Sequence, residues 1–178
     1  MTDRTATDRP AAATPDVAAS AAALAALFEG APRFLARLEA AGPFADDAAL
    51  FVAARSVAHA MPEDEQLELV DAHPRLGAPP GKVSAASYVE QGYDRGAGTP
   101  VDVATELERL NDAYEARFGF RYCVFVAGRP REALLPGMRA ALKGDRSTEL
   151  RRALDAVVDI AQDRHAKRTS TVAPEASP

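Results

Sequence analysis

The stretch 99–119, TPVDVATELERLNDAYEARFG, decides the fold class of this chain. Thr99 is placed to cap a helix, Pro100 suits a first helical position where its missing N–H goes unneeded, and Asp102 puts negative charge into the first turn. Val103, Leu107, Leu110 and Tyr114 then recur at helical spacing, and Gly119 lets the chain leave. The pattern predicts a long amphipathic helix.

Working outward, the same reading gives helices on both sides. Upstream lie a short one near 17–28, one from Pro32 to Ala41, and a longer one from Asp46 to Ala60 with Leu50, Phe51, Ala54, Val57 and Ala58 on one face. Pro62 at a first helical position, followed by Glu63, Asp64 and Glu65, opens a fourth that closes before His73-Pro74. Arg75 to Ser84 holds Gly77, Pro79, Pro80 and Gly81 and reads as a loop, with a short helix from Ser84 to about Gln91 after it. Arg121 to Val126 is a brief apolar run with no other strand to pair with, hence a buried connector. Downstream come a helix from Pro130 to Lys143, kinked at Pro136-Gly137, and one from Ser147, its cap, to Lys167. Composition agrees: about 40 of the 178 residues are alanine, the best helix former, while aromatics make up 6% and tryptophan is absent. The expectation is an all-α fold, a single compact multi-helix domain over 17–168, with disordered tails at 1–16 and 169–178.

A net charge of −5 and a pI near 5.3, with no basic stripe, argue against a nucleic-acid surface. No window approaches 18 uncharged apolar residues, which argues against a membrane span. The Ala-rich stretch from Val17 lacks the positive flank of a signal peptide, and one cysteine, Cys123, makes no intrachain disulfide. The cytoplasm is the expected compartment.

Three histidines are the candidates for chemistry. His59 stands between alanines on a helix and reads as a partly exposed imidazole. His165, near the end of the last helix, reads as a cation favoured by the helix dipole. His73 closes a helix, precedes a proline that bars the α region, and opens a Gly/Pro loop; it is either a helix-capping imidazole or one held at a pocket mouth. Ser87, Glu90 and Gln91 put a hydroxyl, a carboxylate and an amide on neighbouring turns, either a solvated polar face or a set able to orient a histidine. The histidines show no metal-ligand spacing, the glycines no phosphate loop, and Cys123 lies in an apolar run that fits an inert thiol.

Four segments, taken in order, carry a family resemblance: Ala72-His73-Pro74-Arg75-Leu76-Gly77; Ser87-Tyr88-Val89-Glu90-Gln91; Leu110-Asn111 with Tyr114, Phe118, Gly119 and Phe120; and Glu149 followed by Ile160 and Arg164. Together with Phe28-Glu29-Gly30 and the Phe51 to Ala58 face, they resemble the 2-oxo-4-hydroxy-4-carboxy-5-ureidoimidazoline (OHCU) decarboxylases of urate degradation. The resemblance implies a small all-helical homodimer that needs no cofactor and no metal and converts OHCU to (S)-allantoin and carbon dioxide. Carried over by position, it makes His73 the catalytic histidine, Glu90 its partner carboxylate, and Arg164 an arginine reaching into the site from the last helix. Pro74, Ser87, Tyr88, Val89, Glu90 and Gln91, with Tyr122, Cys123, Val124, Phe125, Val126 and Arg164, are the implied substrate-binding positions. Phe118 and Phe120 wall the pocket or fill the core. Two other readings stay open from sequence: a hydrolase of a related ureide, using the same histidine and glutamate with water, and a non-catalytic helical interaction module.

Overall fold

A computed structural model describes residues 21–95 and 99–172, so the expected N-terminal tail and residues 173–178 lie outside it. Eight α-helices and no strand occur among the described residues: α1 (Ala21–Leu27), α2 (Pro32–Ala41), α3 (Asp47–Ala60), α4 (Glu63–Asp71), α5 (Ala85–Glu90), α6 (Val101–Phe118), α7 (Leu135–Ala141) and α8 (Arg146–Val172). The fold is all-α, as the periodicity predicts.

The centre is α8. Leu150, Ala153, Leu154, Val157, Val158, Ile160 and Ala161 are buried along it, too many to share one narrow stripe, because α1, α3 and α4 pack around it. α2 covers α1, α3 and α4 from outside, and α7 packs on α6. Arg33 on α2 pairs with Asp64 and Glu68 on α4, and Arg37 with Glu65. Such exposed pairs contribute about 0–1 kcal/mol each, against roughly 1.5–3 kcal/mol for each buried leucine, so the apolar core decides the arrangement.

Helix ends show where local reading fails. Asp46 caps α3 with a side-chain bond from the Ala49 N–H at 2.7 Å, and Ser84 caps α5 through the Ser87 N–H at 3.1 Å. By contrast, Pro100 rather than Thr99 occupies the N-cap of α6, and the Thr99 hydroxyl instead accepts from Arg131. Pro62 likewise stands at the cap of α4, one residue before the first helical position. Asp145 displaces Ser147 as the start of α8, because its carboxylate reaches both the Thr148 N–H and the Ser147 hydroxyl, and a carboxylate is the stronger acceptor. The expected kinked helix 130–143 is a 3₁₀ turn, Arg131–Leu134, followed by α7: Pro136 sits within the first turn of α7, where it costs no hydrogen bond, so no kink is needed. α8 also continues past Lys167 to Val172.

An aromatic cluster fixes the connector after α6. The Tyr114 ring lies 4.6, 5.6 and 5.1 Å from those of Phe118, Phe120 and Tyr122, and its hydroxyl donates to Glu149 on α8 at 3.0 Å. Phe118 and Phe120 are therefore core residues. Arg152 ties the same cluster together: it pairs with Glu149, lies 4.6 Å from the Tyr122 ring centre, and donates to the Cys123 carbonyl at 2.8 Å.

Gly119 ends α6 at φ 79°, with nothing within 4 Å of where a Cβ would stand, so its need is conformational and not steric. Gly119→Ala should cost roughly 1–2 kcal/mol from the left-handed backbone alone, while Gly81→Ala, with open space and no positive φ, should stay within about 0.5 kcal/mol of wild type. Urea denaturation of the two variants checks this, and equal midpoints would contradict it.

Candidate active site

His73 is placed by three elements. The end of α4 delivers it, Pro74 turns the chain away, and Arg121 of the connector donates to the carbonyls of Asp71 and His73 at 2.7 and 2.9 Å. The Arg121 N–H also meets the Asp71 carboxylate at 2.9 Å. The α4 terminus and the connector are thus stapled together around the imidazole.

The ring is only 4% exposed, yet neither nitrogen has a hydrogen-bond partner. A buried polar atom left in this way costs about 1–3 kcal/mol, and such atoms are few in folded proteins. Burial pushes the imidazole pKa down from 6.5 to about 4; the nearby Arg164 cation acts in the same direction, and the Glu29 carboxylate and the main chain at Leu69 oppose it. His73 is therefore a neutral imidazole at pH 7, able to take a proton.

It faces a cavity of about 20 Å³ lined by His73, Pro74, Leu76, Ser87, Glu90, Gln91, Tyr122, Cys123, Val124, Val126 and Ile160. That is room for about one water molecule. Eight of the substrate-binding positions implied by resemblance, from Pro74 to Val126, meet here together with His73. Tyr88, Val89 and Phe125 do not: Tyr88 stacks on Tyr93 with its hydroxyl on the Tyr93 carbonyl, Val89 is 46% exposed, and Phe125 faces an outer groove beside Arg129. Leu76 and Ile160 are lining residues that the implied binding set lacks. Burial raises the Cys123 thiol to about 12, so it is an apolar wall group and no nucleophile.

Glu90 does not hydrogen-bond His73. Its carboxylate accepts from Arg164 at 3.0 Å, and burial, only partly offset by that arginine, raises its pKa above the ordinary value. Arg164 stands one layer behind the cavity wall. It donates to the Leu27 carbonyl at 3.0 Å, and one terminal nitrogen serves Glu29, Ser87 and Glu90 at 2.7, 3.0 and 3.0 Å. Its Nε is buried without a partner. Gln91 accepts from the Gly77 N–H at 2.8 Å and donates to the Arg75 carbonyl at 3.2 Å, closing the Gly/Pro loop against α5. Glu29, among the residues that carry the resemblance but given no site role from sequence, has a carboxylate that joins Arg164 to Ser84 and Ser87.

The other histidines are structural. His59 is about a third exposed and pairs with Asp155 at 2.8 Å, as a surface imidazole would. His165 differs from its expected role as a helix-end cation: it is 5% exposed, packs 5.6 Å from the Phe51 ring, and bonds Asp47 on α3 at 2.7 Å, because α8 runs on past it. Among the described residues no group of three His, Cys, Asp or Glu side chains is placed to hold a metal ion, and no helix is long and apolar enough to cross a membrane.

Comparison with known proteins gives a consistent result. Residues 14–166 match the family model described as OHCU decarboxylase. A 2-oxo-4-hydroxy-4-carboxy-5-ureidoimidazoline decarboxylase of Haloferax volcanii is 30% identical over 145 residues, 82% of this chain and 86% of that protein. The uric acid degradation bifunctional protein PucL of Bacillus subtilis is 29% identical over 142 residues, and the matched part is 28% of its length. A crystal structure of OHCU decarboxylase in the presence of (S)-allantoin shares the fold, with a TM-score of 0.64 at 22% identity over 82% of this chain and 96% of that one. An (S)-allantoin synthase structure aligns with a TM-score of 0.57 at 19% identity, over 84% of this chain and 50% of that one. A family match over nearly all of the helical region, joined to a relative that aligns along most of both lengths, makes this chain a member of the OHCU decarboxylase family.

Proposed function

We propose that this enzyme, a carboxy-lyase by family, decarboxylates OHCU to (S)-allantoin in urate degradation, with His73 as general acid and base. One observation carries the assignment of His73: a desolvated, neutral imidazole with both nitrogens unpartnered, turned into the one cavity where Ser87, Glu90 and Gln91 meet.

The substrate supplies its own electron sink, so the reaction asks for orientation and proton transfer and needs no cofactor. The bond from ring carbon to carboxylate breaks, its electron pair moves into the adjacent ring C=N, and that nitrogen gains a proton. His73 takes the proton of the ring hydroxyl as this oxygen becomes the product carbonyl, then returns a proton to one face of the neighbouring ring carbon. One proton per turnover comes from water. Proton return from a fixed side sets the stereochemistry. Ser87, Glu90, Gln91 and the main chain of Tyr122 to Val126 offer the donors and acceptors that a ureide presents edges to. Arg164 acts from behind, holding Glu90 and Ser87 in place.

We read the enzyme as a cytoplasmic homodimer, in line with its lone, buried cysteine and its family. The large exposed apolar residues, Val52, Val89 and Val101, sit on three different helices, which gives no continuous groove to a helical interaction module.

The reading is tested with fresh OHCU in the presence of chelator, following carbon dioxide release and the circular dichroism of the product. Carbon dioxide with (S)-allantoin is expected; ammonia without carbon dioxide would establish the ureide hydrolase instead. His73→Asn should lose on the order of 100-fold or more in kcat and drift towards racemic product, while His59→Asn, at a surface pair, should keep most activity.

The pH profile follows from the same environment. Protonation disables the base, and burial delays it from 6.5 to about 4. The acid limb of kcat/KM that depends on His73 should therefore lie well below 6.5. Initial rates between pH 4 and 8 decide the point, and a limb at the ordinary imidazole value would show that His73 works in a solvated state.

A further inference from the structure

Glu29 lies in the turn between α1 and α2 with φ 55°, a left-handed conformation that residues with a side chain rarely adopt. The neighbouring Gly30, at φ 80°, takes the same region without penalty. The backbone at Glu29 therefore bears a strain that glycine would relieve, and such positions cluster at functional sites.

What the strained turn achieves is visible in the contacts. A single oxygen, Oε1, accepts from the Ser84 hydroxyl at 2.8 Å, the Ser87 hydroxyl at 2.7 Å and Arg164 at 2.7 Å, with the side chain 13% exposed. Burial works to raise the pKa of this carboxyl, but the two serines and Arg164 outweigh it, and Glu29 is ionised at neutral pH. It does not line the cavity.

The element it grips has little else to hold it. α5 has six residues, of which only Ser87 is buried, so no apolar side chain anchors it in the core. Its ties are polar: Ser84 and Ser87 to Glu29, Ser87 and Glu90 to Arg164, and Gln91 at its C-cap to the loop at Gly77 and Arg75 and, through its carbonyl, to Arg131. This helix supplies Ser87 and Glu90 to the cavity wall, and its C-cap Gln91 lines the cavity with them. With room for about one water, the cavity admits a ring substrate only if part of its wall moves.

We propose that Glu29 is a positioning residue for the decarboxylation: its carboxylate latches α5 to α8 and to the α1–α2 turn, keeping Ser87 and Glu90 in their binding positions beside His73. The role in turnover rests on the function proposed above; the latch itself does not. A latch raises the fraction of free enzyme already arranged for binding, and the apparent affinity scales with that fraction. Bound substrate restores the arrangement, so loss of the latch appears in KM.

Glu29→Gly is the decisive variant, since glycine suits the left-handed backbone and removes only the carboxylate. KM for OHCU should rise about tenfold or more, the range expected for lost hydrogen bonds to a charged group, with kcat within about twofold of wild type. Glu29→Gln keeps an acceptor oxygen in place and should restore KM to within about threefold of wild type. In substrate-free protein, amide hydrogen exchange over 85–91 should accelerate about tenfold in Glu29→Gly, with α3 and the buried part of α8 unchanged. Ser84→Ala, which removes one tie to Glu29 together with the N-cap of α5, should shift KM and exchange in the same direction. Unchanged KM and exchange in Glu29→Gly would overturn the proposal, as would a fall in kcat and melting temperature at constant KM, or a Glu29→Gln as impaired as the glycine variant. If the wild-type enzyme released no carbon dioxide from OHCU, the functional reading would fail while the exchange measurement still decided the latch.

Discussion

The site depends on one buried cation. Arg164, 6% exposed, would be prohibitively costly in the interior unless its charge were balanced, and its two terminal nitrogens meet two carboxylates, a hydroxyl and a carbonyl from elements far apart in the chain. Leu27 and Glu29 come from the first helical turn region, Ser87 and Glu90 from α5, and the arginine itself from the central helix. Each partner is 74 or more residues from Arg164 along the chain. The requirement to satisfy this charge therefore ties α5, which buries no apolar side chain, to α8 and to the turn after α1. A lysine could not do this, because only the planar fork presents several donors at fixed angles.

The same charge shapes the imidazole. His73 is kept neutral first by loss of water and second by the arginine behind the wall, while Glu29 partly screens that effect. The arrangement separates two tasks that sequence reading had joined. Glu90 stays with the arginine, and the His73 nitrogens have no side-chain partner, which under the proposed function leaves the imidazole open to the substrate hydroxyl. A histidine tied to a carboxylate would be more basic but would have one nitrogen occupied.

Much of this fold is legible in the sequence because helices are local objects. The stripe from Val103 to Tyr114, the stop at Gly119 and the helix start at Asp46 all act within a few residues, and they stand where the pattern puts them apart from shifts of one or two at the caps. His73 was marked by its own neighbours, Pro74 and the Gly/Pro loop. Other features were hidden for a physical reason: they depend on contacts across the chain. Nothing near His165 announces Asp47, 118 residues earlier, and nothing near Thr99 announces Arg131. Glu29 is hidden in the same way, since Ser84, Ser87 and Arg164 lie 55, 58 and 135 residues on. The local signal that could have raised it is a charged side chain directly before a glycine in a helix-ending turn, a place where charge has no helical reason to be.

A cavity no larger than a water molecule and a wall helix without an apolar anchor belong together. Were α5 held by buried leucines, opening it would cost roughly 1.5–3 kcal/mol for each one exposed to solvent, with no compensation from the ligand. Polar ties behave differently, because serine, glutamate and glutamine can exchange a protein partner for water or for a ureide, and each bond is worth about 0.5–1.5 kcal/mol, or about 1.5–3 kcal/mol where a partner is charged. The groups released when such a wall moves are those a hydrogen-bonding ring offers to satisfy. The rigid parts lie opposite: the connector, stapled by Arg121 to α4 and by Arg152 to α8, holds His73 and its aliphatic surroundings fixed. The protein thus sets a fixed histidine on one side of the cavity and a polar wall on the other, and under the proposed function proton return to a single ring face requires that the fixed side be the one carrying the histidine.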